Sequence, residues 1–155
     1  EKQHTPYCRR SDRQPCRARE AVLLADSMGE LPYLYALGQV AFVGGSLVPV
    51  GGHNLLEPLR CGVPVLFGPH MDNFRDIERL TLHYGAGERV ETSQELANRL
   101  DAYLSDPRLQ QTKACNAARL LADCRGATDR TMAALRSGLG DPATGTPGKP
   151  RTTCQ

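Results

Sequence analysis

The residues best suited to hold a small anionic ligand lie in a glycine-rich stretch from Gly44 to Pro58, which reads GGSLVPVGGHNLLEP. Glycines adopt positive φ without strain and let a ligand approach main-chain N–H groups closely. A helix predicted to begin near His53 adds free N–H donors and a partial positive charge, which together favour a phosphate. Glu57 lies about one turn into that helix, where its carboxylate can accept hydrogen bonds from the two hydroxyls of a ribose. A tight turn that needs glycine only for its geometry is the alternative, and the Gly51-Gly52-His53-Asn54 run before an acid favours ligand binding.

Two further loops also follow an apolar run and combine a glycine with polar residues. The segment Asp26 to Leu31 (DSMGEL) follows an apolar run and places a glycine before a helix with an acid in its first turn. Ordinary helix capping explains Glu30 equally well. The segment Gly68 to Phe74 (GPHMDNF) follows another apolar run. From this loop, His70 and Asn73 could reach a substrate across a cleft. A lone histidine is usually just a polar loop residue, so this third loop is the weaker candidate.

The elements that must position these loops alternate between strand and helix. Strands are predicted at Ala21–Ala25, Val40–Val43, Val63–Phe67 and Gly87–Val90. Helices are predicted at Met28–Leu37, His53–Arg60, Asn73–Leu82, from Thr92 to about Leu104, Pro107–Ala122 and Thr128–Arg136. Such alternation predicts an α/β fold with a Rossmann-like parallel sheet covered on both faces. Ligands in these sheets bind beyond the carboxyl ends of the strands, where all three loops lie.

Composition divides the chain into three predicted parts. Residues 1–20 are expected to form an irregular basic lead-in, residues 21–137 the nucleotide-sugar-binding Rossmann-like domain, and residues 138–155, rich in Gly, Pro and Thr, a disordered tail. The lead-in carries five arginines, Arg9, Arg10, Arg13, Arg17 and Arg19, which we interpret as a solvated arm. The net charge of +2 is too small to argue for a nucleic-acid partner.

The six cysteines predict neither a metal site nor a disulfide framework. Residues 1–20 lack the apolar stretch of a signal peptide, so reduced thiols in a soluble, cytoplasmic chain are expected. The longest apolar runs have about five residues, far short of a membrane span. The absence of a Gly-x-Gly-x-x-Gly motif after a strand argues against a dinucleotide cofactor. The cysteines are Cys8, Cys16, Cys61, Cys115, Cys124 and Cys154, with no Cys-x-x-Cys pair and no histidine at zinc-finger spacing.

Four motifs together resemble the C-terminal half of the 3-deoxy-D-manno-octulosonic acid (Kdo) transferase family. They are DSMGEL from Asp26, AFVGGSLV from Ala41, GGHNxxEP from Gly51 and PVLFGPHxxNF from Pro64. Their order and spacing make the resemblance specific, and it is close from about Val22 to Leu82 and loose over the later helices.

The resemblance implies the C-terminal domain of a two-domain glycosyltransferase B-type fold, with the active site in the cleft between the domains. The implied donor is CMP-Kdo, and the implied acceptor is the lipid A precursor. The family's catalytic base, membrane anchor and acceptor site lie in its N-terminal domain, so no catalytic residue is expected here and the chain alone is expected to be inactive. No cofactor or metal is implied, and the intact enzyme is expected at the cytoplasmic face of the bacterial inner membrane.

Seven residues match stretches that contact CMP in the family, and five more are candidates from their loop positions. The matching residues are Met28, Gly29, Glu30, Asn54, Leu55, Leu56 and Glu57. The further candidates for the donor loops are Gly51, Gly52, His53, His70 and Asn73.

The chain also departs from the family pattern. Ser27 replaces the usual Thr, and Val50, Leu55 and Asp72 stand where Arg, Pro and an aromatic residue are frequent. The family's His-Pro-Glu-Arg segment and the arginine-containing stretch before it are not found. Two other functions therefore stay open: a non-catalytic nucleotide-binding module that acts through a partner, and a related glycosyltransferase that uses a UDP-sugar.

Overall fold

The computed structural model describes residues 5–139, except for the side chains of 127–130 and 138–139. Its strands are all parallel and form two sheets. In the first sheet, β1 (Tyr7–Arg9) pairs with β2 (Val22–Leu24). In the second, β3 (Ala41–Val43), β4 (Val65–Phe67) and β5 (Gly87–Arg89) lie in that order. The predicted α/β class with parallel strands is confirmed, but the single sheet expected from the sequence is divided in two.

Helices connect the strands and follow them. They are α1 (Leu31–Leu37), α2 (Leu56–Arg60), α3 (Arg75–His83), α4 (Ser93–Ser105) and α5 (Pro107–Leu139), with short 3₁₀ turns at Arg10–Asp12 and Asp72–Phe74. The two helices predicted after Pro107 are one continuous helix. An isolated glycine such as Gly126 costs a helix about 1 kcal/mol relative to alanine, which is not enough to end it.

The lead-in is not irregular as predicted. Pairing of β1 with β2 aligns Tyr7 with Val22, and the Pro6 carbonyl accepts a hydrogen bond from the Ala21 N–H at 3.1 Å. A strand of three residues is too short to show a period-two pattern, so the sequence carried no signal for it. The prediction of reduced thiols is also wrong for one pair, because Cys8 and Cys16 form a disulfide with their Cα atoms 5.7 Å apart. Arg13, in the left-handed region at φ 53°, helps to turn the chain back between them.

The chain divides into two compact units between Leu120 and Leu121. The predicted domain boundary at residue 137 does not coincide with this division. Most of the predicted disordered tail, residues 140–155, lies outside the described residues.

The core of the first unit is built on β4, the middle strand of its sheet. Val65, Leu66 and Phe67 are all fully buried, as expected for a parallel strand covered on both faces. Leu66 packs with Val90 and Tyr103, which brings helix α4 onto the sheet. The predicted start of α4 is confirmed, since the Thr92 hydroxyl accepts a hydrogen bond from the Glu95 N–H at 3.1 Å.

The loops after β3 and β4 are joined by the buried Ser46. Its hydroxyl donates to the Val43 carbonyl at 2.5 Å and accepts from the Gly68 N–H at 2.8 Å. Its own carbonyl accepts from the His70 N–H at 2.9 Å. A Cβ on Gly68 would overlap the backbone of Ser46 and lie 2.6 Å from the Leu47 nitrogen, so only glycine allows this approach. The two loops therefore leave the sheet edge as one packed structure.

A half-buried carboxylate ties β5 to the last two helices. Glu88 accepts from the Tyr103 hydroxyl at 2.9 Å and pairs with Arg99 at 2.5 Å and Lys113 at 2.9 Å. Burial alone would raise the pKa of Glu88, but the hydrogen bonds from Lys113 and Tyr103 outweigh it and lower the pKa below its usual value.

We expect Gly68→Ala to destabilise the fold by about 1–3 kcal/mol, the usual cost of forcing an extra methyl group into a packed site. Gly44→Ala is the matched control, because a Cβ there has open space within 4 Å, and it should change the free energy of unfolding by less than about 0.5 kcal/mol. Urea unfolding measures both values. Equal stability of the two variants would contradict the tight packing described for Ser46 and Gly68.

We expect Glu88→Gln to lower the free energy of unfolding by about 1–3 kcal/mol at pH 7, because charged hydrogen bonds are lost. Since the pKa of Glu88 is depressed in the fold, its contribution is present above the unfolded pKa near 4.5 and is lost as the pH falls through the folded value. The difference between wild type and variant should therefore shrink towards pH 3. Urea unfolding at pH 7, 5 and 3 tests this, with the exposed Asp101→Asn as a control that should show no such trend. A pH-independent difference would rule out the proposed ionic role.

Candidate functional site

A pocket of about 490 Å³ lies at the carboxyl end of β3, between the first helix and the glycine-rich loop. This is the edge at which parallel α/β sheets bind ligands. Its lining residues come from α1, β3, the loop before α2, α2 itself and the turn after β4: Leu31, Tyr35, Phe42, Val43, Gly44, His53, Asn54, Glu57 and Phe74.

One wall of the pocket is apolar and aromatic. Leu31 and Tyr35 are four residues apart on α1, so they share a face of that helix. Phe42 points out of β3 on the side opposite Ala41 and Val43, which are buried, and it keeps 37% of its surface exposed. Phe74 is half-buried. A flat apolar wall of this kind suits a planar ring or the hydrophobic face of a sugar.

The other wall carries the polar groups. Of the predicted site residues, the structure places His53, Asn54 and Glu57 in the pocket lining. The Asn54 side-chain oxygen accepts a hydrogen bond from the Leu56 N–H at 3.0 Å and so fixes the start of α2. The Glu57 carboxylate is exposed. Burial, followed by electrostatic interactions with Glu57 and Cys61, raises the pKa of Tyr35, so its hydroxyl stays protonated and can donate a hydrogen bond.

The glycines of the predicted donor loop pack against the turn after β4. Gly51 has φ +99° and Gly52 has φ +68°, and added Cβ atoms would overlap the side chains of Asn73 and Met71 respectively. The Gly51 carbonyl accepts from the Asn73 N–H at 3.3 Å, and the Gly52 N–H donates to the Gly45 carbonyl at 3.0 Å. Both glycines are buried. The Gly52 N–H is therefore engaged within the loop, and these glycines are needed to dock two loops together.

His70 and Asn73 belong to this docked pair of loops and not to the pocket lining. His70 is half-buried and Asn73 is exposed. Leu55 is fully buried, so its side chain belongs to the core and only its backbone can meet a ligand, while Leu56 is half-buried.

Helix α2 differs from the prediction in a way that matters for anion binding. It begins at Leu56 and not at His53, and it has only five residues. So short a helix has a small macrodipole, and the Leu56 N–H is already bound to Asn54. The predicted helix start at His53 is therefore wrong, and the Leu56 N–H is not free to bind a phosphate.

The loop at Met28, Gly29 and Glu30 precedes the pocket-lining Leu31 but does not itself line the pocket. Met28 is 96% exposed, and Gly29, at φ +81°, has open space around it. The Glu30 carboxylate accepts hydrogen bonds from Ser27 and from both Nε and Nη2 of Arg10, at 3.0 and 2.8 Å for the arginine. These bonds, first Ser27 and then Arg10, lower the pKa of Glu30.

Cys8, Cys16 and Glu20 lie within the spacing of a metal site. The two sulfurs are bonded to each other, so neither is a thiolate that could bind a cation. Among the described residues, no helix is long and apolar enough to span a membrane.

The sequence does not predict the apolar wall of the pocket. In the sequence its residues stand out only as parts of elements or motifs; they are Leu31, Tyr35, Phe42 and Phe74. A signal was present, because Leu31 and Tyr35 share a helical face and Phe42 alternates with two small buried residues. The sequence did not say that both faces turn towards His53 and Glu57.

The parallel α/β fold, with its pocket at the carboxyl end of a strand, defines a Rossmann-like domain. A solved structure, the C-terminal CMP-Kdo-binding domain of WaaA from Acinetobacter baumannii, superposes with a TM-score of 0.72 at 40% identity, covering 76% of this chain and 61% of that one. The chain is also 40% identical over 119 residues to the 3-deoxy-D-manno-octulosonic acid transferase of Bordetella pertussis, covering 77% of this chain and 28% of the relative.

The corresponding transferase of Haemophilus influenzae is 36% identical over 136 residues, which cover 87% of this chain and 32% of the relative. A scan of protein-family models found no match. The chain belongs to the 3-deoxy-D-manno-octulosonic acid transferase family and corresponds to its C-terminal domain, and it spans about a third of the length of these relatives.

We expect Asn54→Ala to lower the free energy of unfolding by about 1 kcal/mol, because the Leu56 N–H loses its side-chain acceptor. Asn54→Asp keeps an acceptor oxygen in the same place and should cost at most a few tenths of that value. Thermal unfolding of the two variants measures the difference. Equal losses would show that the Asn54 side chain does not support α2.

Proposed function

We propose that this chain is the donor-binding part of a glycosyltransferase that transfers Kdo from CMP-Kdo to the lipid A precursor. The observation that carries the proposal is the pocket after β3, which combines an aromatic wall with His53, Asn54 and Glu57 in a domain related to a CMP-Kdo-binding one. In this proposal the CMP part of the donor occupies the pocket.

Each wall of the pocket has a role in the proposal. Tyr35, Phe42 and Phe74 offer rings against which the nucleoside packs, which removes apolar surface from water. The Glu57 carboxylate accepts hydrogen bonds from ribose hydroxyls, and charged bonds of this kind are about twice as strong as neutral ones. His53 and the backbone at Gly44, both exposed residues of the pocket lining, are the groups available to the phosphate.

The reaction needs groups that this chain is not proposed to supply. A base on the N-terminal domain of the intact enzyme removes the proton from an acceptor hydroxyl. The oxygen then attacks the anomeric carbon of Kdo, and the bond from that carbon to the CMP phosphate breaks as CMP leaves. Donors that remain on the phosphate stabilise the charge that develops on it. We place the intact enzyme at the cytoplasmic face of the inner membrane, where its acceptor lies, and propose that this chain alone is inactive.

We expect the full chain to bind CMP in a calorimetric titration and to bind UMP more weakly. Glu57→Gln should weaken CMP binding about tenfold or more, because hydrogen bonds to a charged group contribute about 1.5–3 kcal/mol. Asp101→Asn, which removes an equivalent charge from the exposed side of α4, should bind CMP like wild type.

Other results would change the assignment. A preference for UMP would favour a UDP-sugar transferase. Equal CMP affinity of the Glu57 and Asp101 variants would place the nucleotide outside this pocket. Tight CMP binding by a chain that supports no Kdo transfer when its N-terminal domain is added back would favour the non-catalytic module.

A further inference from the structure

The loop between β2 and α1 is held from outside by the N-terminal segment. The Ser11 N–H and hydroxyl both donate to the Asp26 carboxylate, at 2.9 and 2.8 Å. The Arg10 guanidinium makes a two-pronged contact with Glu30, at 3.0 and 2.8 Å. Two neighbouring residues thus bind the two acids at the start and end of the same loop.

The disulfide encloses both of these residues. Cys8 and Cys16 are eight positions apart, so the closed loop contains Arg10 and Ser11. Cys8 lies in β1, opposite Leu23 of β2, which fixes one end of the loop to the sheet. The disulfide restricts the conformations that this segment can adopt. The segment therefore loses less entropy when Arg10 and Ser11 bind Glu30 and Asp26.

Among the described residues, the Glu30 carboxylate has side-chain hydrogen bonds from Arg10 and Ser27, and the charge of Arg13 acts on it as well. Ser27 belongs to the same loop as Glu30, while Met28 and Gly29 between them are exposed and make no close packing. Arg10 is therefore the residue outside the loop that hydrogen-bonds the Glu30 carboxylate beside the start of α1. The α1 start matters to the pocket, because Leu31 and Tyr35 line it and the Glu30 carbonyl accepts from the Tyr33 N–H at 3.0 Å.

We propose that Arg10 is a positioning residue that fixes the Asp26–Glu30 loop beside the pocket, and that the Cys8–Cys16 bridge keeps Arg10 in reach, so that thiol–disulfide exchange at this pair loosens the loop. The expected effect of this loosening on nucleotide binding rests on the proposed function. The mechanical link between the Cys8–Cys16 disulfide and the loop does not. A small dithiol supplies two electrons and two protons, the sulfur–sulfur bond breaks to give two thiols, and the dithiol becomes a disulfide.

Hydrogen exchange of the full 155-residue chain tests the mechanical link. In the bridged protein the backbone N–H groups of Ser11, Tyr33 and Leu34 should be protected, since they donate to Asp26 and Glu30. Reduction, the Cys8→Ser/Cys16→Ser double variant, and Arg10→Ala should each speed exchange in peptides over 7–13 and 24–34 by about fivefold. Peptides over β4 should not change, which shows that the fold is intact.

Three comparisons make the test specific. Arg19→Ala removes the same charge at a position outside the bridged loop and should leave both peptides unchanged. Arg10→Lys keeps the charge without the two-pronged geometry and should lie between wild type and Arg10→Ala. Reductant should add nothing to the double serine variant, which excludes effects of the other cysteines.

Unchanged exchange at 24–34 after reduction and in Arg10→Ala would overturn the proposal. The same samples titrated with CMP separate it from the proposed function. We expect a two- to fivefold weaker affinity in Arg10→Ala and in the reduced protein, and wild-type affinity in Arg19→Ala. If no form binds CMP but the loop loosens as described, the proposed function fails and the role of Arg10 stands. If CMP binds all forms equally while the loop loosens, the link between Arg10 and the pocket is wrong.

Discussion

The close approach of Gly68 to Ser46 is the contact on which the site depends. It lets the loop after β4 lie directly against the backbone of the loop after β3, a distance that no residue with a Cβ could allow. The Ser46 hydroxyl then donates to the buried Val43 carbonyl and accepts from the buried Gly68 N–H. A buried polar group left unpaired costs about 1–3 kcal/mol, so this single hydroxyl stabilises both loops at once.

The same principle repeats one step farther from the sheet. The side chains of Asn73 and Met71 pack against Gly51 and Gly52, where a Cβ on either glycine would overlap them. The turn after β4 therefore holds the glycine-rich segment in place. That fixes the residues immediately after it, and Asn54 then sets the first turn of α2 and the position of Glu57. Gly51 and Gly52, which look like part of a phosphate-binding signature, thus serve to pack two loops together, and this packing positions His53, Asn54 and Glu57 in the pocket lining.

The second half of the pocket has a different origin. Tyr35 and Leu31 depend on where α1 begins, and α1 begins after a loop that has little packing of its own. Asp26 and Glu30 of this loop are bound by Ser11 and Arg10, so a segment remote in sequence supports one wall of the pocket. One wall therefore rests on the tightly packed core and the other on exposed ion pairs. Exposed ion pairs are individually weak, typically below about 1 kcal/mol. The disulfide therefore matters, because it restricts the segment that carries Arg10 and Ser11.

The sequence by itself determined the elements that depend on local pattern: apolar strands ending at glycine, the Thr92 cap, and the order of loops along one edge of a parallel sheet. It also predicted a binding loop that contains His53, Asn54 and Glu57, and the structure places these three residues in the pocket lining. Tertiary structure alone decided that Leu31, Tyr35, Phe42 and Phe74 face those residues, that Gly51 and Gly52 serve packing, and that Arg10 binds Glu30. It also decided that Cys8 meets Cys16. The reason is that these contacts join residues of different elements or loops. Their distances follow from strand pairing and close backbone approach, and they leave no periodic pattern in the sequence.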